Sequence, residues 1–155
     1  MFMEQMNKVI LIEDDKKKIE DIRAFLKDTY NLTDLVVEES YQSGLRDLIT
    51  NTYDLLLLDM SIPTWDKSPI STGGNYQKFG GWMILKELIR KNKMIKTILI
   101  TMFDDFGESD RSITLDQINS LLKSEFADKY LGAVYYSSRE VIWKEELKSI
   151  IDNSL

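Results

Sequence analysis

The chain contains neither cysteine nor histidine. Without cysteine it has no disulfide framework, no thiol nucleophile and no zinc ribbon. Without histidine it has no Ser-His-Asp triad, no histidine metal site and no imidazole proton shuttle. Basic residues are also in the minority: 20 Lys and Arg stand against 26 Asp and Glu, a formal charge of −6. No basic stripe offsets that excess, which argues against nucleic acid as a direct ligand. The longest apolar runs, at 9–12 and 55–58, fall far short of the ~20 residues a membrane helix needs, so no membrane partner is expected. The first six residues have no basic segment or cleavage site of a signal peptide. The expectation is a cytoplasmic protein whose chemistry uses carboxylates, hydroxyls, lysines or a bound cation.

What the chain does have is 155 residues with 43% hydrophobic and 30% charged content. That is an ordinary globule, of a size for one domain over 1–155 with a real core. Four short runs are apolar at successive positions: KVILI at 8–12, 35–37, YDLLLL at 53–58 and TILIT at 97–101, with a weaker fifth, AVYY, at 133–136. Continuous rather than alternating runs suit strands covered on both faces. Helical stripes lie between them. Ile19, Ile22, Phe25 and Leu26 form the first, with 16–18, Asp21 and Lys27 on the opposite, solvated side. Leu45, Leu48 and Ile49 form the second, and Trp82, Leu85, Leu88 and Ile89 the third. Thr114 and Gln117 form a capping box ahead of Leu115, Ile118, Leu121, Leu122, Phe126 and Tyr130. Val141, Ile142, Leu147, Ile150 and Ile151 mark the last helix. This alternation implies a doubly wound α/β domain with a parallel sheet. Two stretches break the rhythm. The loops at 64–80 and 103–112 extend the connections after the third and fourth strands, at the sheet edge where open α/β folds place their sites.

Acidic residues follow two of the strands: Glu13, Asp14 and Asp15 after the first, Asp59 after the third. If those strands are parallel neighbours, the carboxylates converge at one edge, where they repel and raise one another's pKa unless a cation neutralises them. The hard cation that oxygen donors alone hold is Mg²⁺. Thr101 puts a hydroxyl at the same edge.

These segments, KVILIEDD at 8–15, YDLLLLDMSIP at 53–63, TILIT at 97–101 and GAVYY at 132–136, resemble the receiver domains of bacterial two-component response regulators. The Asp59–Pro63 spacing and the gap of ~45 residues between the acidic pair and Asp59 fit that family. The resemblance implies a flavodoxin-like (βα)5 fold with strand order 2-1-3-4-5. It implies Asp59 as a phosphoacceptor, supplied by a histidine kinase or a histidine phosphotransfer protein, with signalling by protein contact rather than by an enzyme's turnover. Mg²⁺ would be held by Asp14, Asp59 and the main-chain carbonyl of Ser61, with Glu13 acting through water. Thr101 would bond the phosphoryl group and Tyr136 would swing its ring inward as a switch. Because the chain ends soon after the fifth helix, with no length left for a DNA-binding output domain, the expectation is either a stand-alone receiver or a fragment of a longer protein; a homodimer is compatible with either.

One departure matters. The family carries a lysine and then a proline just after the fifth strand. Ungapped counting puts Arg139 there, a one-residue shift puts Ser138 there, and Lys144 is a further cation within the last helix. Arginine keeps the charge but not the compact ammonium geometry. The competing reading is therefore a pseudo-receiver, an interaction module that signals without phosphate. A Mg²⁺-dependent phosphatase or nuclease is disfavoured, because the 59–61 segment lacks a second aspartate. The 64–80 loop starts beside Asp59 and is expected to cover it, and its Gly73 and Gly74 lack the ending of a nucleotide-binding P-loop.

Overall fold

The computed structural model describes residues 6–66, 74, 76–103, 105–106 and 113–155. Five strands build one parallel sheet: β1 (Val9–Ile12), β2 (Val36–Glu38), β3 (Leu55–Leu58), β4 (Thr97–Thr101) and β5 (Tyr130–Tyr135). Their order is β2-β1-β3-β4-β5, all neighbours parallel, so the expected order holds. The helices between and after them are α1 (Lys16–Tyr30), α2 (Tyr41–Thr50), α3 (Gly80–Arg90), α4 (Leu115–Phe126) and α5 (Ile142–Ser154).

Every residue of β1, β3 and β4 is buried, which is why these strands read as unbroken apolar runs. Two cores result, one on each face. Ile22, Leu26, Leu11, Leu57, Trp143 and Leu147 belong to the core on the α1 and α5 face. Ile12, Leu58, Ile84, Leu88, Ile118 and Leu122 belong to the core on the opposite face. The Thr114–Gln117 capping box is present, with side chain and backbone exchanged reciprocally.

The fifth strand differs from expectation. It begins at Tyr130, not 133, and Tyr130 is the strand's first residue rather than the end of the α4 stripe. Ala127, at φ 53°, breaks the helix after Phe126, and a short 3-10 turn follows at Ala127–Lys129. The pairing with β4 then slips between Thr97–Tyr130 and Ile98–Gly132. Gly132 sits in this bulge at φ 153°, a conformation side chains other than hydrogen resist. Leu121 and Ile89, expected on the buried stripes, are 44% and 50% exposed.

Both long loops contain short antiparallel ladders. Ile62–Pro63 pairs with Tyr76–Gln77, and Asp105–Phe106 pairs with Ile113–Thr114. Residues 67–73, 75, 104 and 107–112, and with them the expectation that 64–80 covers Asp59, lie outside the described residues.

Candidate functional site

The β1–β3 register places Ile12 opposite Leu58. The ladder continues one step further, with Asp59 N–H donating to Ile12 O and Glu13 N–H donating to Glu38 O. Glu13 and Asp59 therefore emerge side by side at the C-terminal edge, and both are almost fully buried. Glu13 Oε2 turns back to accept the amides of Asp14 and Asp15, each at 3.0 Å. Asp59 Oδ1 accepts the amide of Met60 at 2.7 Å. The glycine pair at the start of α3 lets that helix come close. Gly81 N–H donates to Met60 O, and a Cβ at Gly81 would lie 2.5 Å from the Asp59 carbonyl oxygen.

The cation in this site is Lys18, which sequence reasoning placed on a solvated helix face. Its side chain is wholly buried. The ammonium ion-pairs with Glu13 Oε1, lies 3.3 Å from Asp59 Oδ2 and donates to the Ile100 carbonyl at 2.7 Å. The reason is the tight turn from β1 into α1. Asp15 caps the helix by accepting the Lys18 amide at 2.9 Å, so Lys18 sits in the first turn and its stem runs toward the strand ends. Lys16 and Lys17, by contrast, are 78% and 67% exposed and pair with Glu39 and Asp21. A signal for this was present: Lys18 is one turn before Ile22 and two turns before Phe25, on the apolar stripe itself.

Arg139, the stand-in that counting suggested, is exposed, and its amide bonds only to Ser137 Oγ in the loop after β5. The ammonium beside Asp59 comes from the first helix instead.

Two carboxylates thus share one ammonium. Burial pushes the Glu13 carboxyl up to about 8; the Lys18 ammonium opposes this and the Asp59 charge adds to it. Glu13 Oε1 has the Lys18 ammonium as its partner. Asp14 is half-buried at the mouth and Ser61, also half-buried, donates its hydroxyl to Lys78 O. Among the described residues no three carboxylates converge into a metal cage. The donors at the mouth are nonetheless all oxygen, and Mg²⁺ needs only one or two carboxylates with water completing its shell. The Asp59 charge that adds to the effect of burial on Glu13 is what such a cation would offset.

Thr101 is buried at the end of β4, where its hydroxyl accepts the Phe103 amide at 3.2 Å. Tyr136 follows on the neighbouring strand, its amide bonded to Thr101 O. Its ring is already inside, 1% exposed, packed against Trp143 at 5.2 Å and with the Lys18 ammonium 5.9 Å from its centroid. The hydroxyl donates to Asp21 Oδ2 at 2.5 Å. Burial and this bond raise the phenol's pKa. Burial alone would raise Asp21, but hydrogen bonds from Tyr136 and Lys17 outweigh it and hold the carboxyl below its usual range.

The parallel 2-1-3-4-5 sheet with these acids at its edge matches solved receiver domains along nearly its whole length. A response regulator receiver domain from Clostridium thermocellum superposes with a TM-score of 0.59 at 21% identity, over 96% of this chain and 94% of that one. The chain has the receiver fold. The Mn²⁺-bound form of response regulator Rcp1 matches this chain with a TM-score of 0.60 at 18% identity, covering 92% of this chain and 91% of Rcp1. In sequence, the chain resembles the uncharacterized protein y4jR of Sinorhizobium fredii, 28% identical over 145 residues, 92% of this chain and 95% of y4jR. It also resembles the Detocs response regulatory protein DtcB of Enterobacter cloacae, 22% identical over 142 residues, 90% of this chain and 95% of DtcB. No protein-family model matches the chain.

Proposed function

We propose that this receiver takes a phosphoryl group onto Asp59 from a phosphohistidine on a partner kinase or phosphotransfer protein, and signals by protein contact. The observation that carries the reading is the pairing of a buried acceptor carboxylate with a buried ammonium: Asp59 faces Lys18 beside Glu13 at the strand edge. In the transfer, an Asp59 carboxylate oxygen forms a bond to phosphorus as the P–N bond to the donor imidazole breaks. The imidazole leaves with the electron pair. Protein catalysis of such a step consists of positioning and charge neutralisation. The ladder bonds and the Met60 amide hold Asp59 in place, and Lys18 offsets its charge. Asp14, Asp59 and the Ser61 carbonyl would hold Mg²⁺, which when bound supplies positive charge against the phosphoryl oxygens. The Mn²⁺-bound form of Rcp1 supports a divalent cation at such a site.

The pseudo-receiver reading draws its force from the lysine missing after β5 and from the two long loops. Lys18 supports the acceptor reading by supplying an ammonium from another element. The test is incubation with acetyl phosphate and Mg²⁺ followed by intact-mass measurement. One phosphoryl group should be added to the wild type and none to Asp59→Asn. A wild type that stays unlabelled at high donor concentration would sink the reading.

A further inference from the structure

We propose that Lys18 is the residue that binds the phosphoryl group on Asp59, and that α1 is thereby the element tied to the phosphorylation state. This rests on Asp59 being the acceptor.

Lys18 is the cation that pairs with Asp59 among the described residues, and its ammonium has three acceptors: Glu13, Asp59 and the Ile100 carbonyl. When acetyl phosphate is the donor, an Asp59 oxygen bonds to phosphorus, the P–O bond to acetate breaks, and acetate leaves with the electron pair. No proton is required. The site then holds an acyl phosphate carrying more negative charge than the carboxylate it replaces, still beside Glu13. An ammonium 3.3 Å from Asp59 Oδ2, on a flexible four-carbon stem, reaches a phosphoryl oxygen by a small movement. Its neutral acceptor, the Ile100 carbonyl, is the one most readily given up, because charge-assisted bonds are the stronger ones.

That exchange is transmitted along α1. Ile100 immediately precedes Thr101, so release of its carbonyl removes the bond between Lys18 and the end of β4. Lys18 belongs to the first turn of α1, pinned by Asp15, and Asp21 on the next turn holds the Tyr136 hydroxyl. One helix therefore contacts the acceptor, the strand end before Thr101 and the inward tyrosine. The loop after β5 contributes no cation to this set: Arg139 is exposed.

The test labels the full chain with acetyl phosphate and Mg²⁺ and follows both the rate of labelling and the lifetime of the phosphorylated form. The variants are Lys18→Gln, Lys18→Arg, Arg139→Gln and the exposed-residue control Lys16→Gln. Labelling of Lys18→Gln should slow by about 10²-fold, the usual loss for one preorganised charge-stabilising donor. Lys18→Arg should recover part of that loss, and Lys16→Gln should match the wild type. Hydrogen exchange on the wild type needs no variant: amides 16–22 should change protection on phosphorylation. An unlabelled wild type overturns the acceptor reading and this proposal together. A labelled wild type with Lys18→Gln equal to it in rate and lifetime overturns this proposal alone. A loss confined to Arg139→Gln, or unchanged exchange at 16–22, does the same.

Discussion

Replacing Lys18 by methionine isolates the charge of the site. Methionine fills nearly the same volume, so cavity and overpacking costs stay small. The change leaves Glu13 and Asp59, both essentially buried, without the ammonium they share. At 3.3 Å the Lys18–Asp59 attraction alone amounts to about 5 kcal/mol with an effective dielectric near 20. Desolvation of the ammonium offsets part of that, and breaking one side of a buried pair typically costs about 3–5 kcal/mol. With a urea m-value of about 2 kcal/mol/M, the unfolding midpoint should fall by about 1.5–2.5 M. The measurement belongs in EDTA, so that no divalent cation takes the ammonium's place. Asp59→Asn should then restore at least about 2 kcal/mol in the Lys18→Met background, because it removes one of the stranded charges. In the wild type it should change stability little, since a one-to-one Glu13–Lys18 pair remains. A cost below about 1 kcal/mol for Lys18→Met, or additive effects in the cycle, would refute the assignment of Lys18 as the site's counter-charge.

Three other outcomes are expected. Tyr136→Phe removes the bond to Asp21 and should cost about 1.5 kcal/mol in urea unfolding, the lower range for a bond to a charged group; no loss would mean the hydroxyl is not held. Gly81→Ala drives a Cβ into the Asp59 carbonyl and should destabilise by about 1–3 kcal/mol while shifting the Asp59 amide resonance. The Glu38 carboxyl is raised to about 7 by burial and by its bond with Asp47. The folded state therefore holds an extra proton between the unfolded value near 4.5 and about 7, and stability falls as pH rises through that window. Glu38→Gln should flatten this part of the stability profile, and an unchanged slope would place its origin elsewhere.

Local pattern was enough for most of the architecture. Successive apolar residues at 9–12, 55–58 and 97–101 are required by a sheet covered on both faces, and Thr114 with Gln117 caps a helix through bonds that span three residues. The carboxylates of Glu13 and Asp59 could be brought together on paper because each ends a strand and the strands are adjacent. The start of β5 was not legible in the same way, because Tyr130 suits a helical stripe and a strand equally. The backbone reversal at Ala127 and the bulge at Gly132 decide between them.

The identity of the site's cation is where local reasoning ended. A run of three lysines at the start of a helix reads as a solvated face, and two of the three are solvated; helical spacing marks Lys18 as the exception but names no acceptor for it. What separates Lys18 from Lys16 and Lys17 is its place on the stripe of Ile22 and Phe25, the face that α1 packs against the sheet, with the Asp15 cap holding the first turn. By itself the sequence determined a parallel α/β sheet with acids at one edge and no histidine or cysteine to act there. Only the tertiary structure decided which of the chain's cations meets those acids, because an ammonium is buried solely where several elements together supply the acceptors that replace its water.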